Sequence, residues 1–183
     1  MRAIPLKFVL ATGLAASSGL AMVPAAQAHI TLETRQAPAG GYYKAVVRVP
    51  HGCKGSDTTA VRVQIPDGVL DVKPMPKPGW RLEVKQGGYD HPQTLNGAKV
   101  DRGVREISWS GGDLPDAYYD EFIFRAYLSS SLKAGDTLYF PTIQECKQGM
   151  TRWIEKTDSD DESSDPAPHL KLTAPSSSGH HHK

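Results

Sequence analysis

The sequence lacks any marked excess of charge and any sustained helical pattern after residue 28. Its 183 residues hold 21 Lys and Arg against 20 Asp and Glu, a formal net charge of +1. A chain this close to neutral has no general attraction for nucleic acid or anionic lipid, so we expect no nucleic-acid partner. Fourteen Pro and 17 Gly argue against a helical bundle or a coiled coil. The length allows one substantial core and is short for two ordinary domains.

A single long apolar run is present, and it lies at the N-terminus. Phe8 to Met22 follows the cations Arg2 and Lys7 and precedes the small-residue motif Ala26-Gln27-Ala28. This pattern is typical of a secretory signal peptide over residues 1–28, cleaved after Ala28. The alternative is a membrane anchor, for which the run is short. We therefore expect a periplasmic or secreted protein with no membrane anchor after cleavage.

Cysteine is scarce as well, since the chain holds only Cys53 and Cys146. An even number of cysteines in an exported chain favours one disulfide bond. In the chain-entropy account, closing so long a loop stabilises the fold by about 4–5 kcal/mol. The alternative is a pair of thiolate metal ligands, but neither residue lies in a CxxC or CxxH motif.

Short segments with alternating apolar and polar residues occupy most of the chain after residue 28. They predict seven or so strands separated by turns, and hence an all-β fold, a single antiparallel β-sandwich. The predicted strands are centred on Tyr42–Val49, Thr59–Ile65, Trp80–Val84, Ile107–Trp109, Glu121–Leu128, Leu138–Phe140 and Arg152–Glu155. We place the domain at residues 29–156. Residues 157–183 are predicted as an acidic, Pro- and Ser-rich linker with a flexible His-containing tail, in which residues 169–172 could dock as an extended segment.

Cleavage after Ala28 would make His29 the first residue of the exported protein. A free α-amine and the imidazole Nδ1 of the same residue can close a chelate ring on a metal, and Cu(II) favours such nitrogen ligands in a plane. The alternative is a surface histidine that lies at this position by chance. Glu121 is predicted to point away from the core-facing Phe122, and Glu33 alternates with His29 along a first strand. Each of these carboxylates could equally be an ordinary solvated one, and Trp153 an ordinary core aromatic.

Several separated motifs resemble one family in the same order. They are HITLE at residue 29, APAGGYYKAVVRVPHGC, PKPGW, WSGG, YDEFIFRAYL, LYFPTIQEC and GxxRWIE, and together they extend from His29 to Glu155. The chain is similar here to the YcnI-like copper-binding domain of bacterial exported proteins. That resemblance implies a β-sandwich of the immunoglobulin or cupredoxin kind. It also implies one Cu(II) per chain, bound by a monohistidine brace.

Carried over by motif, the brace falls on His29 as the chelating residue and on Glu121 as the oxygen ligand, with Trp153 beside the metal. Glu33 and Glu145 are alternative ligands. Some family members carry a C-terminal membrane helix, whereas this chain ends in GHHHK. The triplet His180, His181 and His182 could be an added tag or a native metal-scavenging tail, so a second and weaker metal site is expected there.

The resulting hypothesis is an exported copper chaperone or store in copper acquisition or homeostasis, not an enzyme. Its expected partners are the copper ion and other periplasmic copper chaperones or a membrane copper transporter. One alternative is a copper-dependent polysaccharide monooxygenase, which needs a second imidazole from His51, His91 or His169. The other is a β-sandwich interaction domain that binds no metal.

Overall fold

The structure is a computed structural model that describes residues 29–157 and 165–175. The predicted signal peptide, most of the acidic linker and the triplet His180–His182 lie outside these residues. Twelve strands make up the described fold. They are β1 (Thr31–Leu32), β2 (Gln36–Pro38), β3 (Tyr42–Val49), β4 (Thr58–Gln64), β5 (Val69–Pro74), β6 (Arg81–Leu95), β7 (Ala98–Leu114), β8 (Asp120–Leu128), β9 (Thr137–Tyr139), β10 (Thr142–Cys146), β11 (Met150–Trp153) and β12 (His169–Thr173).

The strands form three sheets around one apolar core. One sheet has the order β1-β3-β8-β5, a second β11-β10-β4-β7-β6, and a third, smaller one β2-β12-β9. All pairings are antiparallel except that of β2 with β12, which is parallel. The prediction of an all-β antiparallel sandwich is confirmed. None of the described residues belongs to a helix that could cross a membrane.

The alternation of side chains explains which faces meet in the core. Along β8, Phe122, Phe124, Ala126 and Leu128 are fully buried, while the residues between them are at least partly exposed. The facing sheet contributes Trp109, which packs against the Phe122 ring with centroids 5.5 Å apart. Trp80 lies only partly in the core, edge-on to Phe122 at 4.9 Å. Period-2 patterning predicted the buried face of β8 correctly because one side of that strand is wholly apolar.

Several strands were not predicted. β5 and β10 lack a clean alternation, and β2 has three residues. The first strand expected between His29 and Glu33 is present as β1, with two residues. β6 and β7 are far longer than the predicted cores around Leu82 and Trp109, since their hairpin continues to a turn at Asn96-Gly97. The outer part of that hairpin is mostly exposed on both faces, so no apolar period marks it in the sequence.

The structured domain extends beyond the boundary predicted at residue 156. Residues 165–173 return to the sandwich, and Ala167, Leu170 and Leu172 are buried. Their backbone bonds to several elements, with Ala167 N–H donating to the Glu155 carbonyl and Lys171 N–H to the Arg35 carbonyl. The docking expected of residues 169–172 is therefore strand β12. Because the segment just before β12 is acidic, the alternating Leu-Lys-Leu residues of this strand were assigned to the linker and tail.

Cys53 and Cys146 form a disulfide bond, as predicted. Cys53 precedes β4, and Cys146 ends β10, the neighbour of β4 in the five-stranded sheet. The bond therefore joins the end of β10 to the loop that leads into β4, and the two cysteines are 93 positions apart in sequence.

Candidate functional site

His29 lies at the edge of the sandwich, just before β1. Its side chain is half-buried, whereas the next residue, Ile30, is fully buried in the core and anchors the segment. The imidazole lies edge-on to the indole of Trp153, with ring centroids 5.6 Å apart and an interplanar angle of 62°. Two residues singled out from distant parts of the sequence are thus in contact.

Trp153 is the last residue of β11, the edge strand of the five-stranded sheet. It is 4% exposed, and its indole Nε1 donates a hydrogen bond of 3.0 Å to Oε1 of Gln144. Trp153 is therefore a core aromatic that also contacts His29. Its ring closes the core on one side and faces His29 on the other.

A small depression adjoins His29. It is lined by residues 29–32 and Arg35 on one segment and by residues 166–169 on the other. The C-terminal segment that includes β12 thus forms one wall of the surroundings of His29. His169, which lines the same depression, packs against Tyr139 with ring centroids 6.1 Å apart.

Glu121 and Glu33 share one cation. Arg48 is the direct register partner of both Thr31 on β1 and Glu121 on β8, so these three residues form a row across the sheet. Arg48 Nη2 lies 2.7 Å from Glu33 Oε1, and Arg48 Nε lies 3.6 Å from Glu121 Oε1. All three side chains are about a third to a half exposed, so the pairs stabilise the fold only weakly. The row of Thr31, Arg48 and Glu121 lies two residues along β1 from His29, Glu33 is two residues further on, and both carboxylates are turned towards Arg48.

The third candidate carboxylate is placed elsewhere. Glu145 follows the buried Gln144 on β10, so its side chain points out from the five-stranded sheet, where it pairs with Arg62. It is not brought to His29.

His51 and His91 lie on other parts of the described fold. His51 precedes the disulfide, and its backbone carbonyl accepts a hydrogen bond from Gln144. His91 lies on the exposed hairpin of β6 and β7. Within residues 29–157 and 165–175, no three His, Cys, Asp or Glu side chains come together in a group that could hold a metal. A chelate made by the amine and imidazole of one terminal residue needs fewer side chains than that.

Tyr43 and Asp57 are among the residues of this region whose pKa values are shifted. Burial, followed by the nearby charge of Glu33, raises the pKa of Tyr43, whose hydroxyl donates a 2.7 Å hydrogen bond to the Thr34 carbonyl. A hydrogen bond from the Lys147 ammonium, followed by one from the Asp116 N–H, lowers the pKa of Asp57 near the disulfide.

Two residues that organise this region were missed by sequence reasoning. Arg48 occupies an outward position in β3, and its only signal was its alternation with Val47 and Val49. Gln144 is a fully buried amide within PTIQEC. A glutamine beside Ile143 and Glu145 is normally taken as solvent-facing, so nothing in the sequence marked it as buried.

Comparisons with known proteins agree with this fold. The chain superposes on an uncharacterized protein from Nocardia farcinica whose crystal structure reveals an immunoglobulin-like fold, with a TM-score of 0.58 and 24% identity. The match covers 79% of this chain and 98% of that one, and at this identity it shows the fold alone. No curated protein matches the chain. A family profile described as a domain of unknown function, DUF1775, matches residues 29–172 and takes in the YcnI-like proteins, so the chain belongs to the DUF1775 family.

Proposed function

We propose that this protein is an exported Cu(II)-binding protein that acts as a copper chaperone or store. One copper per chain would bind at His29 once cleavage after Ala28 has freed its α-amine. The observation that carries the proposal is the contact between the His29 imidazole and the Trp153 indole at 5.6 Å. This contact supports the proposal because it holds the His29 side chain against a buried aromatic ring.

The chemistry of the available groups supports copper in its oxidised form. In the full chain the His29 nitrogen is an amide, which is a poor ligand near neutral pH because its proton must first leave. After cleavage the same atom is an amine, and together with the imidazole it offers two nitrogens to one ion. Amine, imidazole and carboxylate ligands suit Cu(II) better than Cu(I), which prefers thiolates and thioethers.

The third ligand in this proposal is Glu121. Its carboxylate is 31% exposed and lies 3.6 Å from Arg48, so it is reachable from solvent and already has a cationic partner. Binding copper would require Glu121 to leave Arg48, and Glu33 remains beside that arginine to pair with it. Glu33 is the alternative ligand from the same row.

The decisive experiment compares a mature chain that starts at His29 with one that starts at Ala28. In both, His180, His181 and His182 are replaced by alanine, so that the tail binds no copper. We expect the extra residue to weaken Cu(II) binding at least tenfold, about 1.4 kcal/mol, because it removes one nitrogen and the chelate ring. Circular dichroism serves as the check that both proteins are folded.

Electron paramagnetic resonance gives a second readout on the same pair of proteins. The nitrogen hyperfine structure of the copper signal should change when the amine becomes an amide. Equal affinity together with equal hyperfine structure in the two proteins would contradict the N-terminal chelate. A Trp153→Phe variant that starts at His29 should keep a stoichiometry of one and lose most of the copper-induced change in tryptophan fluorescence.

A further inference from the structure

Gln144 is the fully buried polar residue at the centre of β10. Its amide nitrogen donates to the His51 carbonyl at 2.7 Å and to the Thr58 hydroxyl at 2.8 Å. Its amide oxygen accepts from the Trp153 indole at 3.0 Å. Both donors and one acceptor lone pair of the side chain are thus in use.

These partners fix which way the amide points. If the amide turned over, its NH2 group would face the indole N–H, and its oxygen would face the His51 carbonyl. Both contacts would then be repulsive. The fixed amide therefore offers its oxygen to the Trp153 indole N–H in one ring orientation. Rotation of the ring away from this position would leave a buried N–H without its acceptor.

The same network continues to the disulfide bond. The Thr58 hydroxyl, which accepts from Gln144, lies 3.8 Å from the Cys146 sulfur. A disulfide sulfur carries no proton, so the hydroxyl is the donor in that contact. Hydrogen bonds thus run in one direction: from Trp153 to the Gln144 oxygen, and from the Gln144 NH2 to Thr58, whose hydroxyl points on towards Cys146.

We propose that Gln144 is a positioning residue that holds the Trp153 indole against His29 and couples this ring to the Cys53–Cys146 disulfide. The role of Gln144 in copper binding rests on the proposed function. The orientation of Trp153 is a property of the metal-free protein and is tested there.

The first test follows the indole N–H of Trp153 by nitrogen-15 NMR in the mature chain without metal. The chain has three tryptophans, and Trp153→Phe identifies the signal of interest. Gln144→Met keeps the length of the side chain and removes every hydrogen bond. We expect the Trp153 indole proton to exchange with deuterium about tenfold faster, while that of Trp109, bonded to the Met75 carbonyl, is unchanged.

A conservative variant and a control separate positioning from general loss of structure. Gln144→Glu, protonated in this buried environment, keeps an acceptor and one donor, so it should restore most of the protection. Ser129→Ala removes another buried polar group, whose hydroxyl bonds to Ser131, and should leave Trp153 unaffected. If Gln144→Met does not fold, Thr58→Val breaks the next link, and the Trp153 signal should shift.

A second test addresses the disulfide directly. Reduction of the wild-type protein, verified by mass after alkylation, should move the Trp153 indole resonance and leave that of Trp109 in place. An unmoved Trp153 resonance in the folded, reduced protein, or unchanged exchange in folded Gln144→Met, would overturn the proposal.

Copper titration then tests the link with function. In chains that start at His29, Gln144→Met should keep one copper per chain but show a smaller fluorescence change than wild type. If wild type binds copper and Gln144→Met gives the same affinity and the same quenching, Gln144 does not position the site. If wild type binds no copper, the proposed function fails, and the indole measurements still decide the role of Gln144.

Discussion

Arg48 lies between the two carboxylates that sequence patterns and family resemblance favoured as copper ligands. It contacts Glu33 more closely than Glu121, at 2.7 Å against 3.6 Å. Glu121 is therefore the less tightly held of the two, and Glu33 is already available as the replacement partner for Arg48. This difference singles out Glu121 for a test.

Glu121→Gln should weaken Cu(II) binding without unfolding the domain. The change removes an anionic ligand and leaves the two nitrogens of His29, so affinity falls but binding persists. Isothermal titration of chains that start at His29 measures the effect. Glu145→Gln is the matched control, because Glu145 pairs with Arg62 on the outer face of another sheet. Unchanged affinity in Glu121→Gln would transfer the ligand role to Glu33.

Tyr43 should make the fold sensitive to alkali. Its folded-state pKa is raised by burial and then by Glu33, so the neutral phenol stabilises the fold fully below its ordinary pKa of about 10. That contribution is lost as the pH rises above this value towards the folded-state pKa. Tyr43→Phe should lower the free energy of unfolding by about 1 kcal/mol at pH 7 and flatten its decline above pH 10.

Urea unfolding of both proteins between pH 7 and 11 checks this expectation. Tyr42→Phe is the control, since its ring is half exposed. Parallel alkaline declines in Tyr43→Phe and wild type would show that another group titrates.

The strands differ in how clearly the sequence pattern predicts them. β3 and β8 pair over eight residues. The buried residues of β8 repeat with period 2 because one face of that strand is in the core, whereas β3 is marked by its run of β-branched and aromatic residues. The outer hairpin of β6 and β7 has no buried face, so its residues carry no pattern. Strand β12 has a clear alternating pattern, but the segment before it is acidic. The domain boundary was predicted too early because it was drawn from the composition of that acidic segment.

Leu170→Ala should destabilise the domain by about 2–5 kcal/mol, since Leu170 is fully buried where β12 crosses the sandwich. Lys171→Ala alters the neighbouring, exposed position and should change stability by less than about 0.5 kcal/mol. Thermal unfolding of the two variants and wild type supplies the comparison. Equal stabilities for the two variants would mean that β12 contributes little to the core.

The molecule as a whole follows from its sequence more readily than its site does. An all-β sandwich and one disulfide were predicted because patterning and cysteine count report on the entire chain. The meeting of His29 with Trp153 was expected from the family resemblance alone, because it depends on which edges of two sheets adjoin, and short patterns carry no such information. The role of Gln144 depends on three partners from separate segments, which only the tertiary structure brings together.

Removing the disulfide should cost about 2–5 kcal/mol of stability, because the bond closes a loop that spans most of the domain. The double variant Cys53→Ala with Cys146→Ala, studied by urea unfolding at pH 7, measures this loss. Wild type with its disulfide chemically reduced is the companion sample and should show a similar loss. A double variant as stable as oxidised wild type would contradict the expectation.

The pairing of β12 with β2 also has a consequence for the order of events during synthesis. Strand β2 is among the first parts of the domain to leave the ribosome, and β12 is the last strand to follow. The buried partners of Leu170 and Leu172 therefore stay uncovered until translation of the domain is complete. The β2-β12-β9 sheet of the described residues can therefore be completed only after the last of its strands has been synthesised.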